Sequence, residues 1–417
     1  MFNKIRGKYS KRKTKKLNRD VISYEEVPLE DYEQESTRVS AVDAKKVVKL
    51  VIILVILGLI VFAFANRESL TPDNISNWFK YDVLGQGDGE GFPMDIVGTN
   101  IESGNIITAG NSVSYASDTS FVTLSSNASV IQNYQLSYAS PVISSSGNNV
   151  LVYGLDGKEY HTGTTNKLDY TGKTDEGIIT GDISSSGVYG VVTKANGYFS
   201  KLFVYNKDHE QIYAYSFSDY YISSLAINSA GNRCVACGVS GKDGALSGVA
   251  YVLDFQKEEP LGIYDLGENF IYRAEYLTGG EVCLIGDTAS AVLDTVSGQV
   301  KQNSYNQMTL ASFEVNEDTA TFAVALSRTG DGYSCTLQNF RSNGELNYEV
   351  ETDYRVEAMT IFKGNTYILE NDTIHCFDLN RNEISKADAG SGAKQIKVCS
   401  DGSVYVLGVN EIRKIAL

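Results

Sequence analysis

The chain has 417 residues and a formal net charge of −15, with six cysteines, three histidines and one tryptophan. Residues 1–66 carry 13 basic and 8 acidic groups, and residues 67–417 carry 23 basic and 43 acidic groups. The acidity of residues 67–417 argues against nucleic-acid binding, because few cations remain to neutralise phosphates.

The first 46 residues are predicted to form a disordered arm on the cytoplasmic side of a membrane. Residues 1–19 contain nine lysines or arginines, and residues 20–40 are rich in glutamate and aspartate. Such charge blocks do not bury enough apolar surface to fold. Two interpretations remain open: a topology signal with a spacer, or a docking motif for a cytosolic partner or anionic lipids.

Residues 47–66 are predicted to form one transmembrane helix, because Leu50–Ala65 holds sixteen residues without a charge. Nineteen residues at about 1.5 Å each nearly match a hydrocarbon core of about 30 Å. The excess of basic groups before this stretch places residues 67–417 outside the cytoplasm. Cleavage after Ala65, which ends a small-x-small motif, is the alternative to an uncleaved anchor.

Residues 67–91 are predicted to be a juxtamembrane linker. Thr71 and Pro72 have the residue types of a helix cap and first helical position, so a short helix is expected there. That helix places Trp78, Phe79 and Tyr81 near the bilayer, either in its interface or packed on the following domain. The alternating glycines of Gly85–Gly91 are interpreted as a flexible tether rather than a phosphate loop.

Residues 92–417 are predicted to form an all-β, eight-bladed β-propeller. Short apolar runs are separated by turns rich in Gly, Asn and Asp, and the turns recur at a mean spacing of about 42 residues, typical of a four-stranded blade. These inner turns lie at Gly110-Asn111, Gly147-Asn148, Ser186-Gly187, Gly231-Asn232, Gly279-Gly280, Glu317-Asp318, Gly364-Asn365 and Asp401-Gly402.

The last repeat has only three strands, so we expect the spare strand within Phe92–Gly98 to pair with Glu411–Ile415 and close the ring. Seven blades is the alternative, if one short repeat is miscounted.

No catalytic, cofactor-binding or metal-binding residue is predicted. Cys234 and Cys237 form a lone C-x-x-C without a second ligand pair, so all six cysteines are expected to be buried free thiols. His161, His209 and His375 share no metal-ligand spacing. Eight-bladed quinoprotein dehydrogenases rely on repeated tryptophan motifs, and the repeats of this chain contain no tryptophan.

Two features point to recognition rather than catalysis. The chain has 27 tyrosines, of which Tyr205, Tyr213, Tyr215, Tyr220 and Tyr221 cluster in sequence, and this composition suits adaptable binding surfaces. The alternative is that these tyrosines simply fit half-exposed strands. A polar insertion, Gly241–Gly248, is expected to project from one face of the ring, unless it is an ordinary loop.

The basic arm, the membrane stretch, Gly91-Phe92-Pro93, the Lys242-Asp243-Gly244-x-Leu246-Ser247 insertion and the Asp254 turn together resemble the bacterial family named domain of unknown function 5711. The resemblance covers residues 45–417. It implies an extracytoplasmic propeller on an N-terminal anchor, in Gram-positive, clostridia-like bacteria. It implies no activity and no functional residues.

The sequence therefore predicts a single-pass plasma-membrane protein that is not an enzyme. Its propeller is expected to bind or scaffold an envelope protein or a cell-wall glycan, without a cofactor or metal. The alternative is a propeller enzyme, a hydrolase or lyase on cell-wall or extracellular polymer, whose paired carboxylates the sequence does not locate. A third hypothesis is signal transfer from the propeller to the cytoplasmic arm. It has less support, because a single helix and a disordered arm offer no bistable element.

Overall fold

The computed structural model describes residues 52–57, 71–99, 101–102, 104–242, 244–277, 280–328 and 334–417. Residues 52–57 are helical and their apolar side chains are exposed. Within the described part of the chain, no helix has the length and hydropathy needed to span a bilayer. The predicted arm and most of the predicted transmembrane helix lie outside the described residues.

Residues 61–417 form one compact unit, whose described strands assemble into eight four-stranded antiparallel sheets. Blades 1 to 4 contain, in chain order, β2 (Ile106–Ala109), β3 (Ser112–Ala116), β4 (Ser120–Leu124), β5 (Val130–Gln135); β6 (Pro141–Ser146), β7 (Asn149–Gly154), β8 (Glu159–Thr164), β9 (Lys167–Lys173); β10 (Ile178–Ile183), β11 (Tyr189–Ala195), β12 (Tyr198–Tyr205), β13 (Gln211–Phe217); β14 (Tyr221–Ile227), β15 (Arg233–Lys242), β16 (Ala245–Asp254), β17 (Gly262–Gly267).

Blades 5 to 8 continue the same pattern, and the first strand of the domain, β1, belongs to blade 8. Their strands are β18 (Ile271–Tyr276), β19 (Glu281–Gly286), β20 (Ala289–Asp294), β21 (Val300–Ser304); β22 (Thr309–Asn316), β23 (Thr321–Ser327), β24 (Cys335–Arg341), β25 (Leu346–Thr352); β26 (Ala358–Phe362), β27 (Asn365–Glu370), β28 (Thr373–Phe377), β29 (Glu383–Asp388); β30 (Gln395–Val398), β31 (Val404–Leu407), β32 (Glu411–Ile415), β1 (Met94–Asp95).

The prediction of eight blades is confirmed, and seven is wrong. Each of the eight predicted inner turns joins the first and second strands of one blade. The outer turns, between third and fourth strands, owe their Asn and Asp residues to a local hydrogen bond. The side chains of Asn206, Asp254 and Asp294 each accept the backbone N–H two residues ahead, at 2.9–3.0 Å.

The predicted closure of the ring is also confirmed. In blade 8, β1 pairs antiparallel with β32, with Met94 opposite Ile412 and Asp95 opposite Glu411. The Ile96 N–H extends the ladder by donating to the carbonyl of Asn410 at 2.9 Å. The outer strand of the last blade thus comes from the start of the domain, which covers an edge that would otherwise remain open.

The meander gives the ring two distinct faces. The turns between strands one and two, and between strands three and four, lie on one face, which we call the turn face. The connections between strands two and three, and between successive blades, lie on the opposite face, which we call the far face.

Residues 71–91 pack on the turn face over blades 1 and 2. A short helix, α1 (Pro72–Asn77), continues into a π-helical turn, π1 (Trp78–Val83). The predicted cap is confirmed, because the Thr71 hydroxyl accepts the Asn74 N–H at 3.2 Å. Thr71 also accepts from the side-chain amide of Asn148, in the first turn of blade 2, at 2.7 Å.

The glycine-rich run is not the flexible tether that its composition suggested. The Gly89 N–H donates to the Ser129 hydroxyl at 2.9 Å, and the Gly91 N–H donates to the carbonyl of Asn127 at 3.3 Å. A Cβ on Gly89 would lie 2.2 Å from the Asn127 carbonyl oxygen. This glycine therefore permits a close approach of two backbones.

Ring closure can be tested by truncating one buried side chain on β32. Ile412 is fully buried opposite Met94. We expect Ile412→Ala to lower the free energy of unfolding by about 2–4 kcal/mol, because it removes packing at the closure. Ile212→Ala, on an outer strand with an exposed side chain, is the matched control and should change it by less than about 0.5 kcal/mol. Equal losses in urea unfolding would contradict this account of the closure.

Candidate binding surfaces and the central channel

The first strands of the blades lie innermost and surround a central channel. Neighbouring first strands run side by side, as β10 does with β14 and β30 does with β2. Each contributes one residue that lies one or two positions before the end of the strand on the turn face. These eight residues, which we call the channel ring, are Thr108, Ser144, Asp182, Ala226, Glu275, Glu314, Thr360 and Lys397.

Side chains at and near the ring satisfy backbone groups on the inner edges of neighbouring blades. The carboxylate of Asp182, in blade 3, accepts the Ile227 N–H of blade 4 at 2.7 Å. The Thr108 hydroxyl of blade 1 donates to the Val398 carbonyl of blade 8 at 3.1 Å. An inner strand has a free edge, so these bonds supply partners that its own sheet does not.

The charged ring members are paired with each other or with an adjacent side chain. Glu314 of blade 6 and Lys397 of blade 8 form an ion pair at 2.5 Å, both largely buried, and the Thr360 hydroxyl donates to Glu314 at 3.5 Å. The Ser144 hydroxyl donates to Asp182 at 2.6 Å.

Arg273 lies two residues before Glu275 on β18 and forms an ion pair with it at 2.9 Å. The proximity of Glu275 raises the pKa of Arg273, so this guanidinium is permanently charged. The ring and its neighbour thus contain three carboxylates and two cations.

Burial dominates the titration of two ring carboxylates. Burial raises the pKa of Asp182, and the positive charge of Arg273 partly opposes that rise. Burial likewise raises the pKa of Glu314, against the opposing effect of Lys397. Carboxyl groups of raised pKa are the type that can act as general acids. Here both are held by partners within the ring, an arrangement that ties blades together.

Sequence reasoning missed the channel ring. Its members lie about one blade apart in the chain, and no motif joins them. The available signal is that a position one or two residues before the end of the first strand is polar in seven of the eight repeats.

The far face carries an aromatic patch on blades 3 to 5. Its members are half-exposed aromatic side chains at the far-face ends of strands: Tyr198, Phe199, Tyr221 and Tyr272. The rings of Phe199 and Tyr221 meet edge to face at 4.6 Å, which joins blade 3 to blade 4. Apolar side chains grouped at a surface in this way mark interaction sites more often than isolated ones do.

The predicted insertion adjoins the patch and forms part of a projecting hairpin. Strand β14 ends its pairing with β15 at Val239, and β17 ends its pairing with β16 at Gly248. Residues 240–242 and 245–247 continue beyond these neighbours and pair only with each other. Leu246 near the tip is exposed. The projection expected for Gly241–Gly248 is therefore confirmed.

The tyrosines grouped in the sequence do not form one surface. Tyr213 and Tyr215 pack between blades 3 and 4, whereas Tyr205 packs against Tyr160 on the opposite side of blade 3. Burial raises the pKa of Tyr213 and Tyr215. Of the five, only Tyr221 is an exposed member of the aromatic patch.

The three histidines lie in separate places. His375 is buried between two carboxylates, with Nδ1 2.8 Å from Glu383 and Nε2 3.0 Å from Glu370. His161 bonds Thr171 at 2.9 Å, and His209 stacks on Tyr170 with ring centroids 3.6 Å apart. Over the residues that the structure describes, no group of three His, Cys, Asp or Glu side chains suits a metal ion.

The six cysteines are free and buried, as predicted. Cys234 packs between blades 3 and 4, and Cys237 packs between blades 4 and 5. The two side chains therefore point to opposite faces of β15, which separates the sulfurs of the C-x-x-C motif.

The fold and its surfaces define an eight-bladed β-propeller with a polar channel. Residues 97–417 match the model of DUF5711, a family of unknown function, and the chain belongs to this family. Comparison with curated protein sequences gives no match.

Several solved structures share the fold at low sequence identity. The computationally designed Ika8 protein has a TM-score of 0.57 and 13% identity, and the match covers 77% of this chain and 99% of Ika8. Sqt1 of Saccharomyces cerevisiae has a TM-score of 0.51 and 11% identity, with 78% and 100% covered. A europium-containing methanol dehydrogenase has a TM-score of 0.52 and 10% identity, with 78% and 85% covered. These likenesses establish the fold alone.

The ion pair of the channel ring can be tested through its pH dependence. Lys397→Met leaves the Glu314 carboxylate buried without its cation, so we expect a loss of about 3 kcal/mol in the free energy of unfolding at pH 7. Burial raises the pKa of Glu314 in the folded state, and the variant lacks the Lys397 charge that opposes this rise. Protonation of Glu314 should therefore reduce the loss in the free energy of unfolding as the pH falls towards 4.

The matched control is Lys301→Met on β21, where the side chain is exposed, and it should have little effect at either pH. Urea unfolding at pH 4 and pH 7 measures both variants. A loss at Lys397 that is the same at both pH values would contradict a buried, unpaired Glu314.

Proposed function

We propose that this protein is a membrane-anchored, extracytoplasmic propeller that binds an envelope protein through the aromatic patch and its projecting hairpin. The observation that carries the proposal is the patch itself. Four half-exposed aromatic side chains lie at the far-face ends of strands, and one of them, Tyr221, pairs with Val239 at the base of a hairpin that extends beyond its blade. Tyrosine and phenylalanine supply contact area at low entropic cost, and such residues dominate the centres of protein interfaces.

The proposed location rests on the charge distribution along the chain. Nine basic residues within residues 1–19, and three more within residues 45–49, precede the uncharged stretch Leu50–Ala65. The positive-inside rule retains this side in the cytoplasm. The propeller then lies outside the plasma membrane, where its acidic surface keeps it soluble.

A cell-wall glycan is the second class of ligand for the same surface, because exposed aromatic rings provide flat apolar faces. An enzyme acting on a polymer is the third candidate. Its support is the set of three carboxylates in the channel ring, two of which have a raised pKa. The pairing of these groups within the ring favours binding over catalysis.

The topology can be tested with single introduced thiols, because all six native cysteines are buried. Ile384, on an outer strand, is exposed, so Ile384→Cys should react with a membrane-impermeant maleimide on intact cells. Ser10→Cys, in the basic arm, should react only after the cells are permeabilised. Labelling of Ser10→Cys on intact cells would overturn the proposed orientation.

The binding surface can be tested by site-specific photo-crosslinking on intact cells. A photoreactive phenylalanine analogue at Tyr221 should capture a defined envelope protein, since this side chain lies in the aromatic patch. The same analogue at Ile263, which is equally exposed on an outer strand, is the matched control. A product released by wall-digesting enzymes would favour the glycan, and identical products at both positions would refute the assigned surface.

A further inference from the structure

The segment formed by α1 and π1 turns two asparagines towards the propeller and exposes several apolar side chains. A helix that packs on a soluble domain normally turns its apolar side inwards. Here the inward side is largely polar. Asn74 is buried beside Gly110, and the Asn77 side-chain amide donates to the Asn166 side chain at 2.9 Å. Tyr81 is buried on this side, and the half-exposed Trp78 lines a small cleft with Asn74 and Tyr81 against blade 1, beside the outward side.

The outward side of the same segment exposes an apolar strip. It consists of four side chains whose exposed fractions lie between 47% and 51%: Ile75, Phe79, Val83 and Leu84, the last directly after π1. Their spacing of four and five residues follows the turns of α1 and π1, so they share one side, where Ser76 and Lys80 are also exposed. We call this set the apolar ridge. Polar contacts hold the segment on the propeller, so the ridge is not free to turn inwards.

We propose that the apolar ridge lies in the interfacial region of the lipid bilayer. The inference rests on the proposed anchor. Only residues 66–70 separate the uncharged stretch Leu50–Ala65 from Thr71. Five residues span at most about 18 Å, so an embedded anchor keeps the ridge close to the membrane surface. Tryptophan and other aromatic residues favour this interface, and Trp78 is the only tryptophan of the chain.

The lipid surface fits the ridge better than a second copy of the chain does. Residues 67–417 carry 43 acidic and 23 basic groups, so two propellers brought together would repel one another. An apolar side opposite a polar one is also the pattern of helices that lie in the membrane interface.

The inference orients the propeller. Because α1 and π1 pack on the turn face, the turns of blades 1 and 2 face the bilayer. The hairpin of blade 4 and the aromatic patch are on the far face, which then points away from the membrane. The surface proposed to bind a partner is thereby presented to the envelope.

The single tryptophan allows a direct test on the full-length protein in phosphatidylcholine vesicles. Vesicles with brominated acyl chains should remove most of the Trp78 emission, because bromine quenches only nearby indole rings. Aqueous acrylamide should quench it weakly. In the double variant Trp78→Phe/Tyr221→Trp the reporter lies on the far face, and the pattern should be reversed.

A second variant separates the ridge from the anchor. Phe79→Ser/Val83→Ser/Leu84→Ser retains Trp78 but removes most of the apolar ridge, so quenching by brominated lipid should be lost while the protein still floats with the vesicles. Failure of the unmodified chain to float would refute the anchor, which is a failure of the proposed function. Flotation with Trp78 open to acrylamide, or shielded from both quenchers by a second copy, would overturn the ridge inference alone.

Discussion

The closed ring depends on how its strand edges are covered. A sheet has two edges, and eight separate sheets would expose sixteen rows of unpaired backbone groups unless neighbours or side chains covered them. At the outer end of blade 8, β1 supplies the missing fourth strand and pairs with β32. This pairing joins residues more than three hundred positions apart, so the integrity of the last blade depends on the beginning of the domain.

The inner edges are covered in a different way. Asp182 accepts a hydrogen bond from a backbone N–H of the neighbouring blade, and Thr108 donates one to a backbone carbonyl. An apolar side chain forms neither bond. The cost is the burial of charge, visible in the raised pKa of Asp182 and of Glu314. Pairing with Lys397 limits that cost. The channel therefore owes its polarity first to the need of inner strands for partners.

The repeat architecture was predictable because the turns of each blade have local sequence signals. Inner turns need glycine or a similar residue, outer turns use Asn or Asp to bond the backbone, and both recur with the length of a blade. The channel ring was not predictable, because Glu314 and Lys397 meet only after the ring closes. The sequence left the role of the grouped tyrosines open for a related reason, since Tyr205 and Tyr213 lie on different strands of one hairpin and face opposite sides.

The amino-acid composition of a glycine-rich segment does not predict its structure. Glycine suits both a mobile linker and a tight contact between two backbones, so the sequence alone does not distinguish the two. Gly89 belongs to the second kind, because Asn127 and Ser129 leave no space for a Cβ. The exposed ridge beside it was equally ambiguous, because the pattern alone did not show which side of the helix faces the propeller.

The distribution of buried thiols has a consequence for how the ring comes apart. Blades 1 to 3 contain no cysteine, whereas every blade from 4 to 8 holds at least one. Burial raises the pKa of Cys237, Cys283 and Cys399, so these sulfurs are unreactive while their blades stay closed. Each thiol becomes nucleophilic when its own blade opens. A ring that starts to open at the β1–β32 junction would therefore expose Cys399 first, and the order of alkylation would record the route of disassembly around the circle.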